Sequence, residues 1–176
     1  SVTGTGSVYA RNKVSTPTPT SASLFDLDGS GYLSGLYTRV LDPRAPSALR
    51  VDDVFAFPEA DPRFVQTSVY RNLTDVARYA VSRGFPVFPE SILAYSNLPD
   101  PLAGSGELNN AYYDPGIPPV GLGLPSIVPP SFGFGNGDGV LTANLGTDSD
   151  VAAHEMGHHL FELLVSPLVL SALDPV

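Results

Sequence analysis

The sequence predicts an α+β fold that is rich in strands and loops, with one packing helix in the first half and a second helix near the C-terminal end. The chain of 176 residues contains 17 glycines and 18 prolines, yet 43% of its residues are apolar, which is too many for a disordered linker. Apolar residues recur at helical spacing in segments 67–83 and 148–165, and short apolar runs separated by turn residues fill much of the remainder. This length suits one domain, or one large piece of a bigger enzyme.

The N-terminal quarter is predicted to contain an arm and then a hairpin. Residues 1–23 are small, polar and Thr/Pro-rich, which indicates an extended arm, and residues 24–176 form the folded subdomain. Residues 24–41 read as strand, Gly-rich turn and strand. The turn at 26–31 begins like a calcium-binding loop, but Tyr37 stands at position twelve, where such a loop needs a bidentate glutamate. We therefore interpret it as a plain hairpin turn, for which Asp and Gly are typical.

The next elements follow from periodicity and turn residues. A helix is predicted from Thr67 to Arg83, ended by Gly84 and packed on a sheet. Short strands are predicted at 109–113 and 131–134. The Gly-rich run at 134–139 predicts a tight turn, because several of its positions adopt positive φ at low cost.

Charge and composition exclude several classes of partner. The chain has 9 Lys plus Arg against 18 Asp plus Glu, a net charge of -9, which argues against nucleic acid and anionic membranes. It has no cysteine, so a metal must be held by His and carboxylate.

The longest apolar stretch, 160–173, is interrupted by polar residues and too short to span a bilayer. The start at Ser1, without a Met or a leader, fits a processed, secreted or extracellular protein.

The chemistry is concentrated in a His-Glu-Met-Gly-His-His run at residues 154–159, which holds all three histidines of the chain. On an α-helix His154 and His158 are one turn apart, about 6 Å along the axis, so both imidazoles can reach one ion. Glu155 points about 100° away and sits beside the metal without ligating it. We interpret the histidines as zinc ligands and Glu155 as the general base of a metal-assisted hydrolysis. The alternative is a surface helix that histidines merely decorate.

The motif also has a helical context. A capping-box pattern at Thr147 and Asp150 predicts the helix start, and Pro167 predicts its end, so that the helix runs from about Asp148 to about Val165.

A catalytic zinc needs a third protein ligand, which the sequence does not supply in an obvious place. Glu162 lies about 9 Å along the helix axis from the level of Met156, which is too far. Asp174 could reach the ion only if the chain folded back immediately after Pro167. His159 lies about 100° round from the second ligand and is interpreted as a packing residue.

Three blocks resemble the thermolysin-like gluzincin metallopeptidases, including the fungalysin-type enzymes, over roughly residues 67–165. The Asn-Ala-Tyr-Tyr run at 110–113 is similar to the family's edge strand, and residues 134–139 are similar to its aromatic, Gly-rich turn. Residues 150–158 resemble its Asp-x-x-x-His-Glu-x-x-His helix, which is the most specific block.

The resemblance implies further roles. Asn110, Ala111 and Tyr112 are expected to bind the substrate backbone, and Asp150 to help bind calcium, with a helix-cap carboxylate as the alternative. It also implies that the third zinc ligand is a Glu just beyond Val176, and that a C-terminal subdomain is absent from this chain.

Two functions follow as hypotheses. The first is a zinc-dependent endopeptidase acting on peptide or protein substrates, truncated before its third ligand and completed by a C-terminal chain or segment. The second is a secreted structural or adhesive module on a peptidase-like fold, with lost or incomplete catalysis. A metal assay combined with a protease assay distinguishes them.

Overall fold

The computed structural model describes residues 1–85, 90–100, 106–116, 128–139 and 142–172, the last seven as backbone alone. Within these residues it confirms the α+β class: two α-helices accompany two mixed sheets. The elements are β1 (Val2–Val8), β2 (Thr20–Leu27), β3 (Thr38–Leu41), β4 (Val54–Phe55), α1 (Pro62–Ser82), β5 (Ile92–Leu98), β6 (Ala111–Asp114), β7 (Ser131–Gly135), a short 3-10 helix (Leu145–Thr147) and α2 (Ser149–Ala172). Neither helix of the described residues is long and apolar enough to cross a membrane.

The first sheet has the order β2-β1-β4, and it includes β1 and the first four residues of β2 from the segment 1–23 interpreted as an arm. β1 pairs with β2 and β4, and Val8 is buried in the core, so this part of the segment lies within the folded sheet. The Gly-rich composition of β1 has a packing reason. A Cβ at Gly6 would lie 2.4 Å from the Thr67 side chain, so glycine allows α1 to approach this sheet closely.

The segment 26–31 forms a turn, as predicted, but β2 and β3 do not form a hairpin. Asp28 accepts a hydrogen bond from the Ser30 amide at 2.8 Å, and its own amide donates to the Ser34 carbonyl at 2.9 Å. Asp26 is ion-paired with Arg78 at 2.9 Å. The chain then enters the second sheet, where β3 pairs with β5, because the long connection through the turn redirects it.

Helix α1 begins five residues earlier than the periodicity predicts. Asp61 caps its N-terminus by accepting from the Arg63 amide, and Pro62 occupies the first turn, where its missing N–H costs nothing. The helix ends at Ser82, before Gly84, which has a φ of 90°. Of the apolar residues predicted to pack, Val76 is partly buried. The other four are buried: Val69, Leu73, Ala77 and Ala80.

The second sheet has the order β3-β5-β7-β6, so β6 lies at one edge of the described sheet. Strands β3, β5 and β7 are parallel, whereas β6 runs antiparallel to β7. Both C-terminal strands were predicted, and Phe132 and Phe134 of β7 are fully buried. The predicted tight turn is confirmed by Gly137 and Gly139, with φ of 68° and 71°.

Helix α2 packs against α1 and this sheet, and buries Ala152 and Met156 in the shared core. Both positions lie on the helix face opposite to the one that carries the exposed histidines. The core therefore holds the helix in place and leaves the other face open to a cleft.

Candidate metal and peptide site

The imidazoles of His154 and His158 converge on the exposed face of α2, one helical turn apart. Their Nε2 atoms are 3.1 Å apart, and their ring centroids 4.8 Å apart. Ligand bonds of about 2.05 Å to one zinc ion would meet at an angle of about 100°, which is near the tetrahedral value. The pair therefore fits a single zinc ion, and neutral imidazole is an ordinary zinc donor.

Glu155 directly follows His154 in the sequence, but its side chain is in a different environment from the two histidines. Its side chain is buried, with the residue only 5% exposed, whereas both histidines are exposed. It nevertheless lines the same cleft as the histidines. A carboxylate in this position can accept a proton from a water molecule held beside the imidazoles.

The cleft has a volume of about 940 Å³ and lies between α2 and the edge strand β6. Its lining brings together every residue that the sequence analysis assigned to the site: Asn110, Ala111, Tyr112, Asp150, His154, Glu155 and His158. Segments about forty residues apart in the chain thus meet at one surface, because β6 joins the sheet on which α2 packs.

Asn110, Ala111 and Tyr112, at the edge of the sheet, are each held by a different contact. The carbonyl of Asn110 accepts from the Gly135 amide at 2.9 Å, and Ala111 is paired with Phe134 across the strands. The Tyr112 ring lies on Gly133, where a Cβ would come within 2.4 Å of it. The other edge of β6 has no strand against it in the described residues.

The N-terminus of α2 is capped differently from the prediction. Asp148 Oδ1 accepts from the amides of Asp150 at 2.8 Å and Val151 at 3.4 Å, which is the geometry of a helix cap. Asp150 lies in the first turn, and its exposed carboxylate accepts from both Nε and a terminal nitrogen of Arg11, at 2.9 and 2.7 Å. The cap is therefore Asp148, which lies one residue after Thr147 and two before Asp150 of the predicted capping box. The calcium role of Asp150 stays a prediction.

Helix α2 also continues through Pro167 to Ala172, so the predicted end near Val165 is wrong. A proline removes one helical hydrogen bond and crowds the preceding turn, and it kinks a helix as readily as it ends one. Leucine and alanine, which favour helices, occur on both sides of it.

Sequence reasoning missed a polar cluster at the end of the cleft. The Tyr113 hydroxyl donates to Glu162 Oε2 at 2.6 Å and lies 2.9 Å from His159 Nδ1. Burial lowers the pKa of His159 to about 4, whereas burial and the bond to Glu162 raise the pKa of Tyr113. Two sequence signals pointed here: Glu162 is one turn after His158, and Tyr113 alternates with Tyr112 along β6.

Within the described part of the chain, no group of three or more His, Asp or Glu side chains is arranged to hold a metal. Asp174, considered as a ligand, lies outside the described residues. In comparisons with known proteins, no family profile matches the chain and no curated protein is significantly similar to it.

Proposed function

We propose that the chain is the N-terminal, zinc-binding part of a zinc-dependent endopeptidase similar to the thermolysin-like gluzincins. The observation that supports this best is the convergence of His154 and His158, 3.1 Å apart, with Glu155 on a cleft whose opposite wall is a sheet edge. A surface helix that histidines merely decorate has no reason to place these groups opposite an open strand.

The residues divide the chemistry between them. His154 and His158 hold the zinc, which when bound polarises the scissile carbonyl and lowers the pKa of a water molecule. Glu155 accepts the proton of that water and delivers it to the leaving nitrogen. Burial of this side chain at the wall of the cleft limits the conformations that it can adopt.

The edge of β6 supplies the means of aligning a peptide. An unpaired edge presents backbone N–H and C=O groups to which an extended chain can add as a further strand. Asn110, Ala111 and Tyr112 line the cleft at this edge, so the added strand would pass over the histidine pair. Recognition through the backbone suits an endopeptidase, because it does not depend on one substrate sequence.

The proposed site needs a third zinc ligand and cover for an apolar surface. Phe161 and Leu164 of α2 are 66% and 45% exposed. We propose that a C-terminal segment or partner chain supplies a Glu to the zinc and packs on this part of α2. The resemblance to gluzincins predicts that the Glu lies on a helix encoded shortly after Val176.

The test compares residues 1–176 with a longer polypeptide that includes the downstream segment. Zinc affinity is measured by competition with a chelating dye, and proteolysis with an unstructured protein substrate. We expect weak zinc binding and no hydrolysis from the short chain, and tight binding with hydrolysis from the longer one. Replacement of His158 by Ala should abolish zinc binding in both, whereas Tyr79→Phe, on the exposed face of α1, serves as the matched control.

Two outcomes would contradict the proposal. Absence of zinc binding from the longer polypeptide would exclude the metal site itself. Tight zinc binding without turnover would instead favour the structural or adhesive module, in which the fold and metal are kept and catalysis is lost.

A further inference from the structure

Three polar side chains meet where β6 packs against α2. Tyr113 of β6 places its hydroxyl 2.6 Å from Glu162 Oε2 and 2.9 Å from His159 Nδ1, both on α2. The rings of Tyr113 and His159 also pack on each other and on Phe132, with centroids 5.3 to 6.2 Å apart. The contact is therefore polar at the hydroxyl and apolar around the ring.

The hydrogen-bond donors in this cluster can be assigned from its chemistry. A carboxylate only accepts, so the single O–H of Tyr113 is directed at Glu162. The phenolic oxygen is then left as the acceptor for His159, whose Nδ1 must carry a proton. The result is a chain of donors from His159 through Tyr113 to Glu162, and bonds of this kind strengthen one another and are stronger when they end on a charge.

The cluster is connected to the proposed metal site through α2. His159 directly follows the second zinc-ligand position, His158, and Glu162 is one turn further, about 6 Å along the axis. The hydroxyl of Tyr113 thus ties the edge strand to the helical turn that carries His158. The spacing of His154 and His158 is set within the helix and does not depend on this tie.

We propose that Tyr113 is a positioning residue whose hydroxyl holds β6 at a fixed distance from α2 and so sets the width of the cleft. The hydrogen bonds that join β6 to α2 through the Tyr113 hydroxyl do not depend on the proposed function. Its consequence for peptide binding rests on the proposed function, since the width matters only if a peptide lies between β6 and α2.

Two variants separate the hydroxyl from the rest of the cluster. Tyr113→Phe removes the tie and keeps the ring that packs on Phe132 and His159. Glu162→Gln keeps an acceptor oxygen for the phenol and removes the negative charge. Tyr79→Phe is the matched control, because Tyr79 is 61% exposed and lies on α1, to which no member of the cluster belongs.

Each variant of the full chain is examined in three ways. Nitrogen-15 NMR of the imidazoles reports which ring nitrogen of His159 carries the proton. Amide hydrogen exchange of residues 111–114 reports how firmly β6 is held. Titration with zinc reports whether the His154 and His158 pair is affected.

We expect the Nδ1–H form of His159 in the parent chain and in Glu162→Gln, and its loss in Tyr113→Phe. Exchange in β6 should become at least about tenfold faster in Tyr113→Phe, which loses the charge-assisted bond to Glu162 and the bond from His159, and should rise less in Glu162→Gln. Zinc affinity should be unchanged in both.

An Nε2–H form in the parent chain, or unaltered exchange in Tyr113→Phe, would overturn the proposal. So would a marked loss of zinc affinity in Glu162→Gln, since Glu162 would then be a metal ligand. If Tyr113→Phe does not fold, the tautomer and exchange in Glu162→Gln decide the question. Failure of the proposed function has a different signature: the parent chain binds no zinc, while the tautomer and exchange results are unaffected.

Discussion

The start of α2 offers a stability test that discriminates between two neighbouring carboxylates. Asp148 accepts from two amides of the first turn, at 2.8 and 3.4 Å, and only the first is a short hydrogen bond. Removal of an Asp cap lowers the free energy of unfolding by about 0.5 to 2 kcal/mol. Because Asp148 makes one short hydrogen bond, we expect Asp148→Ala to lower it by about 1 kcal/mol. For a chain of this size that corresponds to a fall in Tm of about 2 to 4 °C.

The assay is urea unfolding of the metal-free chain, followed by circular dichroism. Asp148→Asn retains an acceptor and should lose only a few tenths of a kcal/mol. Asp150→Ala removes an exposed ion pair with Arg11 and should have a smaller effect than Asp148→Ala, because exposed pairs contribute little.

A larger loss of stability in Asp150→Ala than in Asp148→Ala would refute the assignment of Asp148 as the helix cap. If Asp150→Ala destabilised the chain more than Asp148→Ala, the capping box predicted from the sequence would be right and the cap geometry at Asp148 wrong. An Asp148→Ala variant as stable as the parent would show that solvent or another group satisfies the first-turn amides equally well.

Three further predictions concern catalysis, pH and calcium. Glu155→Gln in the longer polypeptide should retain zinc and lower hydrolysis about 10²- to 10⁴-fold; undiminished turnover would contradict its role as base. Because the folded pKa of His159, about 4, is below its ordinary 6.5, the unfolded chain binds the extra proton. Stability should therefore be complete above pH 6.5 and fall towards pH 4, by at most about 1.4 kcal/mol per pH unit, in urea titrations; His159→Asn should remove that slope. The predicted calcium role of Asp150 requires that a rise in Tm with calcium in the parent be lost in Asp150→Asn; a rise that persists in the variant would exclude that role and leave Asp150 as the ion-pair partner of Arg11.

The part of the site that depends on local geometry was predictable. His154, Glu155 and His158 share one cleft because their spacing is helical, and the helix period alone decides which side chains are neighbours. Strands β6 and β7 were recognisable as apolar and aromatic runs between turn residues. Neither prediction required knowledge of which segments pair.

The predictions that failed depended on distant contacts or on signals other than hydrophobicity. The β1 segment has few large apolar residues, because Gly6 must admit Thr67 of a helix that is sixty residues away. The start of α1 was marked by Asp61 and Pro62 and not by an apolar repeat. The meeting of Tyr113 with Glu162 required the packing of β6 on α2, which no local pattern encodes.

The same packing bears on which residue can complete the zinc site. Glu162 was excluded by distance along the helix, and its Oε2 accepts from Tyr113. If the proposed function is right, a catalytic zinc at His154 and His158 would take its third ligand from outside the described residues, because no described His, Asp or Glu joins the pair. The longer polypeptide is therefore the form in which we propose to measure activity.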